Sequence, residues 1–358
     1  MRPRDLMRED LLSLEQYSVP DIASVEKRLG RPVVKLDANE NPCGASPRVA
    51  EALSNCCLER YPDPDWNELR CLVGDYLKVD PVGVIFSAGG DEMLDLLGRL
   101  FLEANDEVID CPPSFVMYPA VAAFHRARYV SVLRDGEFRI DVAAVEAAVT
   151  NKTKLIFVCS PNNPTGNPTP EKDIRQLLAT DRMVILDEAY AEFAGYTQVH
   201  LTESYPNLIV LRTMSKWGGL AGIRLGYAVA HPEVRREMAR IKSPYNVGIA
   251  AQVAGAASLR DRATLDANAQ KIIRERELLS ERLCKIPGGR VHPSQANFLY
   301  WTTEGASALA WRDALFERGV LVRSFSEPIE ALRITVGTPQ ESDLLVEAME
   351  DVSAAHIA

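Results

Sequence analysis

Between residues 84 and 211, short apolar runs alternate with stretches of helical spacing, and this alternation constrains the fold more than any other property of the chain. The runs at 84–86, 107–110, 129–132, 155–159, 183–187 and 208–211 are rich in Val, Ile and Leu and too short for helices. They read as strands buried on both faces. The stretches at 116–124, 142–149 and 171–179 carry the helical pattern between them. Strand and helix in alternation predict an α/β domain with a mostly parallel sheet covered on both sides. In that architecture, functional groups gather beyond the carboxyl ends of the strands.

Several of those ends are unusual. After 84–86 comes Ser87-Ala88-Gly89-Gly90-Asp91-Glu92, small residues opening a helix, where free backbone N–H groups and the helix dipole favour an anion. It is neither G-x-G-x-x-G nor a Walker A loop, so no dinucleotide or NTPase reading is supported. After 107–110 comes Pro112-Pro113-Ser114-Phe115, and after 155–159 the turn Ser160-Pro161-Asn162-Asn163-Pro164-Thr165-Gly166. Asp187-Glu188-Ala189-Tyr190 follows 183–186, and Arg212-Thr213-Met214-Ser215-Lys216 follows 208–211. A glycine cluster comes next, with Arg224 eight positions beyond Lys216. Taken singly, each reads equally as a capped turn, a solvated acid, a core aromatic or a surface lysine. Their common address argues for chemistry.

An aldehyde cofactor of the pyridoxal phosphate kind makes separate demands that these ends meet one by one. Lys216 supplies the amine that condenses with the aldehyde. Asp187 supplies the carboxylate that keeps a pyridine nitrogen protonated. Asn163 and Tyr190 supply an amide and a hydroxyl for the phenolic oxygen. Phe115 offers a ring to stack on. Arg224, Thr213, Ser215 and the helix start around Gly90, Asp91 and Glu92 supply the phosphate site. Lys216, Asp187 and Tyr190 are the catalytic candidates.

Beyond Tyr227 the pattern changes. A helix at 232–241, a break at 243–246 and a long Ala-rich helical stretch at 247–283 precede strand-like runs at 298–301, 320–322 and 332–336 and helices at 307–318 and 341–353. The expected organisation is an N-terminal arm at 1–32, a large domain at 33–245 and a smaller α+β domain at 246–358.

A net charge of -10 disfavours nucleic-acid or anionic-membrane binding, which needs a cationic face. The seven cysteines are odd in number and form no C-x-x-C pair, as expected of reduced thiols in the cytoplasm without a zinc site. The first twenty residues mix Arg with Asp and Glu and lack a signal-peptide core, so no export is expected.

SPNNPTG at 160–166, DEAYAEF at 187–193, RTMSKWGGLAGIRLGY at 212–227 and LRITVGT at 332–338 together resemble the fold-type-I pyridoxal phosphate aminotransferases. The resemblance runs from about residue 17 to the C-terminus. LDANENPCG at 36–44, RYPDP at 60–64 and CPPSFVMY at 111–118 are similar to the branch that acts on histidinol phosphate with 2-oxoglutarate or glutamate. Sister branches transaminate aromatic amino acids or decarboxylate a phosphorylated threonine, and a regulator would need a DNA-binding domain that the short, acidic stretch before Val33 does not provide. The resemblance implies a homodimer with shared sites, in which Tyr61 reaches the cofactor phosphate of the neighbouring subunit. Arg333, assisted by Arg323, would grip the substrate anion. Asn39, Glu40 and Asn41 would lie near the substrate, and Tyr17 would close over it. Phe115 stands where many relatives carry tyrosine. Only ten positions separate Arg323 from Arg333, with a loop expected between them.

Overall fold

A computed structural model describes residues 2–12 and 21–357. Its strands, in chain order, are β1 (Val34–Lys35), β2 (Val84–Ser87), β3 (Glu107–Asp110), β4 (Arg128–Ser131), β5 (Thr153–Cys159), β6 (Met183–Asp187), β7 (Leu208–Thr213), β8 (Gly226–Ala230), β9 (Gly289–His292), β10 (Phe298–Thr303), β11 (Val320–Leu321), β12 (Arg323–Phe325) and β13 (Ala331–Thr335). The alternating segment becomes a seven-stranded sheet of order β2-β8-β7-β6-β5-β3-β4. Strands β7, β6, β5, β3 and β4 run parallel, and β8 is antiparallel to both β2 and β7. The sequence reading had no strand at β8, because its five residues continue the glycine-rich segment that carries Lys216 and Arg224.

Helices cover both faces of this sheet, so Leu155, Ile156, Phe157 and Val158 of β5 are fully buried. Truncating one of them, as in Ile156→Ala, costs about 2–5 kcal/mol, the usual price of a core cavity. From β3 the chain steps outward to β4 and returns on the other side of β3 as β5, which makes a topological switch point between β3 and β5. Loops at that point diverge and leave room for a ligand.

The second unit is an antiparallel sheet of order β12-β13-β10-β9, with β1 and β11 paired in parallel beside it. It has its own core, including Leu36, Leu283, Trp301, Trp311, Ile334 and Met349. Side-chain packing divides the chain elsewhere than at the expected residues 33 and 245. Strand β1 and Leu36 belong with the smaller unit, while Ala254, Ala257 and Leu259 of the helix Ile249–Arg260 belong to the larger core. The stretch expected as one helix at 247–283 is two, Ile249–Arg260 and Arg262–Leu283. At the break between them, the Asp261 carboxylate accepts from the Ser46 hydroxyl at 2.5 Å and from the Thr264 hydroxyl at 3.0 Å. Among the described residues, no helix is long and apolar enough to cross a membrane.

Candidate active site

The carboxyl ends of β3, β5, β6 and β7 open into a cavity of about 680 Å³, roofed by the segment before residue 41 and by β12 and β13. Lys216 enters it three residues beyond β7. Its Nζ donates to the Ala38 carbonyl at 2.9 Å. Burial, and then the nearby Arg333 and Arg224, lower its pKa to about 8, with Glu40 and Asp91 pulling the other way. An ammonium that is costly to bury becomes an amine available near neutral pH.

Asp187 ends β6. Burial raises its pKa to about 6, against the opposing pull of two hydrogen bonds. One oxygen accepts from the Tyr118 hydroxyl at 2.9 Å and the other from the Ala189 N–H at 3.1 Å. Tyr118 is itself stacked on Phe157, with ring centroids 4.5 Å apart. Among the described residues no cation pairs with Asp187. The sequence reading passed over Tyr118. It is the second residue of the helix Met117–Phe124, and no local signal separates it from a core tyrosine.

Asn163 and Tyr190 both line the cavity, and each has a committed partner. The amide oxygen of Asn163 accepts from Arg333 Nη1 at 2.8 Å, which leaves its Nδ2 to donate elsewhere. Asn39 Nδ2 donates to the Tyr190 hydroxyl oxygen at 3.0 Å, leaving the hydroxyl proton free to donate in turn. Burial raises the Tyr190 pKa, so the hydroxyl stays protonated. Phe115 lines the cavity edge-on to Tyr118, at 5.6 Å between ring centroids.

The anion corner lies where the helix Gly90–Phe101 begins without a side-chain cap. Gly90, Asp91, Thr213, Ser215 and Arg224 all line the cavity there. Arg224 Nη2 contacts the Asp91 carboxylate at 3.0 Å. A Cβ at Gly89 would stand 2.5 Å from that nitrogen, so only glycine admits the guanidinium so close to the turn. Glu92, expected in this corner, points elsewhere. Its carboxylate accepts from the Ala88 N–H and from Asn246 Nδ2, so the Ala88 amide is spent internally.

On the roof, Arg323 and Arg333 are directly opposed on β12 and β13, and both line the cavity. The expected loop between them is therefore in part a hairpin. Two like charges facing across a strand pair repel unless an anion lies between them. Arg333 Nη2 also donates to the Asp37 carbonyl, and the guanidinium lies 5.7 Å from the centroid of Phe298. Asn39 sits at a φ of 53°, unusual for a non-glycine residue. Thr335 and Asn297 hold it there, through hydrogen bonds of 2.9 Å to its N–H and 3.0 Å to its carbonyl.

Behind the floor lies a buried charge network that the sequence reading did not isolate. Arg212 donates to Glu188 at 2.8 Å and to Glu192 at 3.1 Å, tying the end of β7 to the turn after β6. Breaking such a buried pair costs about 3–5 kcal/mol. These groups hold the loops of Asp187 and Lys216 together.

Of the remaining expected residues, Glu40 lines the cavity and pairs with Lys35 at 2.7 Å. Asn41 does not line it; its amide donates to the Lys216 and Trp217 carbonyls. Tyr61 is also outside this cavity, 80% exposed and stacked on Tyr245 with centroids 4.4 Å apart. Tyr17 lies outside the described residues.

The donor set fits a phosphorylated heteroaromatic aldehyde. It combines a partly neutral amine, a buried carboxylate with no cation beside it among the described residues, an uncapped helix start with an arginine, and an aromatic wall.

Comparison with known proteins agrees with this geometry. The family model for aminotransferase class I and II matches residues 31–349. The histidinol-phosphate aminotransferase of Roseiflexus castenholzii is 43% identical over 97% of this chain and 98% of its own length. That of Dehalococcoides mccartyi strain BAV1 is 39% identical over 97% of each. The crystal structure of the Sinorhizobium meliloti histidinol-phosphate aminotransferase, in complex with pyridoxal-5'-phosphate, superposes with a TM-score of 0.88. It is 26% identical, and the match covers 98% of both chains.

Proposed function

The chain belongs to the class I and II aminotransferases, and from that premise we propose that it moves the amino group of L-histidinol phosphate to 2-oxoglutarate, with pyridoxal 5'-phosphate held on the cavity floor. The observation that carries this reading is the meeting, in one cavity, of the Lys216 amine, the buried Asp187 carboxylate and the opposed Arg323 and Arg333. When bound, pyridoxal phosphate supplies an aldehyde carbon for amine exchange and a ring that draws electrons from the substrate.

The rest of the work falls to the chain's own side chains. Lys216, with its pKa lowered to about 8, has a usable fraction of free amine at neutral pH. Its Nζ would serve as the base that takes the proton from the carbon bearing the substrate nitrogen. Asp187 is mostly ionised at pH 7, above its pKa of about 6, and would supply the carboxylate that keeps a proton on the ring nitrogen. Tyr190 and Asn163 would donate to the phenolic oxygen with the hydrogens that their contacts with Asn39 and Arg333 leave free. The backbone N–H groups of Gly90 and Asp91 at the helix start, with Ser215 and Arg224, would hold the phosphate of the cofactor. Arg323 and Arg333 take the phosphate of histidinol phosphate in one half-reaction and a carboxylate in the other.

We also read the protein as a cytoplasmic homodimer in which the partner's copy of Tyr61 completes the phosphate site. Leu58 and Tyr61, 76% and 80% exposed, support a surface that pairs. Light scattering giving twice the chain mass would agree, and a monomer with full activity would contradict it.

The test of substrate is a competition among histidinol phosphate, phenylalanine, tyrosine and phosphothreonine as donors to 2-oxoglutarate. The reading expects histidinol phosphate to have the highest kcat/KM, with one glutamate formed per turnover. Release of CO2 from phosphothreonine, or preference for an aromatic amino acid, would overturn it.

A further inference from the structure

Asn41 stands behind the lysine instead of facing the cavity. Its Nδ2 donates to the backbone carbonyls of Lys216 at 2.9 Å and of Trp217 at 3.1 Å, while its Oδ1 accepts from the Cys43 N–H at 2.9 Å. The amide is fully committed. Three residues earlier in the same segment, the Ala38 carbonyl accepts from Lys216 Nζ at 2.9 Å. Residues 38–41 therefore hold Lys216 at both ends, by its backbone and by its amine. The segment is anchored in turn on the smaller unit, through the Asp37 carbonyl on Arg333 and through Asn39 on Thr335 and Asn297.

We propose that Asn41 is the positioning residue of the reactive amine, setting the height of the Lys216 backbone so that Nζ meets the Ala38 carbonyl at the cavity and does not turn to solvent. The proposal rests on the reading of Lys216 as that amine. A simpler role for Asn41, the Asx turn closed by the Cys43 N–H, uses only the side-chain oxygen. Aspartate reproduces that turn. Asn41→Asp thus keeps shape and turn while removing both donations to the lysine loop, and Asn41→Ala removes them without adding charge.

The experiment compares the wild-type chain with both variants in two ways. In the cofactor-free chain, competitive acylation of Lys216 by acetic anhydride across pH, read by peptide mass, gives the titration of that amine alone. Glu40, Asp91, Arg224 and Arg333, the charged groups around Nζ, are the same in all three chains, and because Asn41→Asp adds a carboxylate nearby, Asn41→Ala is the variant whose titration reads the clamp alone. In the holoenzyme, kcat and KM are measured separately. Thermal unfolding of each variant establishes that it is folded.

With the clamp gone, Lys216 regains solvent, and its titration moves up from about 8 toward the ordinary lysine value of about 10.4 in both variants. The holoenzyme loses about 100-fold in kcat, the scale of a misplaced reacting group, with KM nearly unchanged. An Asn41→Asp chain with the wild-type titration and kcat would overturn the proposal and leave the turn as the whole role. A rise in KM at constant kcat would overturn it in favour of a substrate contact. The Lys216→Ala control separates the two readings: turnover by that variant would discard Lys216 as the reactive amine, while the acylation profile would still decide whether Asn41 holds it.

Discussion

The floor and the roof of the cavity are built on different principles. The floor is a row of parallel strand ends: Asp187 ends its strand, Asn163, Phe115 and Lys216 each follow theirs within a few residues, and the sheet brings them together. The roof is assembled from distant parts of the chain. Asn39 is held by Thr335, 296 positions away, and Arg333 is held by Asn163, 170 positions away. The floor therefore carries groups that a rigid sheet fixes independently of ligand, while the roof carries groups whose placement depends on how the smaller unit sits. Changes on the floor should act on kcat, and changes on the roof on KM.

The largest effect belongs to the floor. Lys216→Ala removes the amine proposed to move the proton, and kcat should fall by at least about 10³-fold, at the strong end of general acid–base effects. Stopped-flow single-turnover assays would detect any residual rate. Asp187→Asn should follow with a loss of about 100-fold in kcat while the cofactor still binds, as an absorbance titration would show. On the roof, Arg333→Met should raise KM for histidinol phosphate by about 10–100-fold, the worth of a charge-assisted contact, with a smaller change in kcat. If Arg333→Met instead lowered kcat as much as Asp187→Asn, the division between floor and roof would fail.

The sign of a pH effect sharpens the same contrast. The folded pKa of Asp187 is raised to about 6 from an ordinary value of about 3.9, so the cofactor-free fold binds that proton more tightly than the unfolded chain. Its contribution to stability is full below about pH 3.9 and lost as pH rises through about 6. Asp187→Asn should thus stabilise the cofactor-free chain by about 1–3 kcal/mol at pH 7.5 and lose that gain in acid, as denaturant unfolding at the two pH values would record. The smallest effect is reserved for the surface: removing the exposed Arg260–Glu68 pair should move Tm by less than about 2 °C.

The same contrast explains what could be read from the sequence. Asp187, Lys216, Asn163 and Phe115 were legible because periodicity locates strands and a strand end locates its next few residues. Strand β8 escaped because its Gly-Tyr-Ala-Val-Ala run merges with the glycine-rich turn before it. Arg323 and Arg333 were named from family resemblance, but their opposition across β12 and β13 is a matter of register, which spacing alone does not give. Motif membership alone places Asn41 and Glu92 at ligands. Both turned out to serve the backbone, because a buried carbonyl or N–H nearby needed the partner more. Tyr118 and Arg212 went unremarked because nothing in their local sequence distinguishes a residue that holds a functional group from one that fills the core.

The central claim is that Lys216 alone among the lysines presents its amine to an aldehyde bound between Asp187 and Arg224. Incubation with pyridoxal 5'-phosphate, borohydride reduction and peptide mass mapping tests it directly. The account predicts one pyridoxyl group per chain, on the peptide containing Lys216 and lost in Lys216→Ala. Label spread over surface lysines, with the Lys216 peptide unmodified, would contradict it.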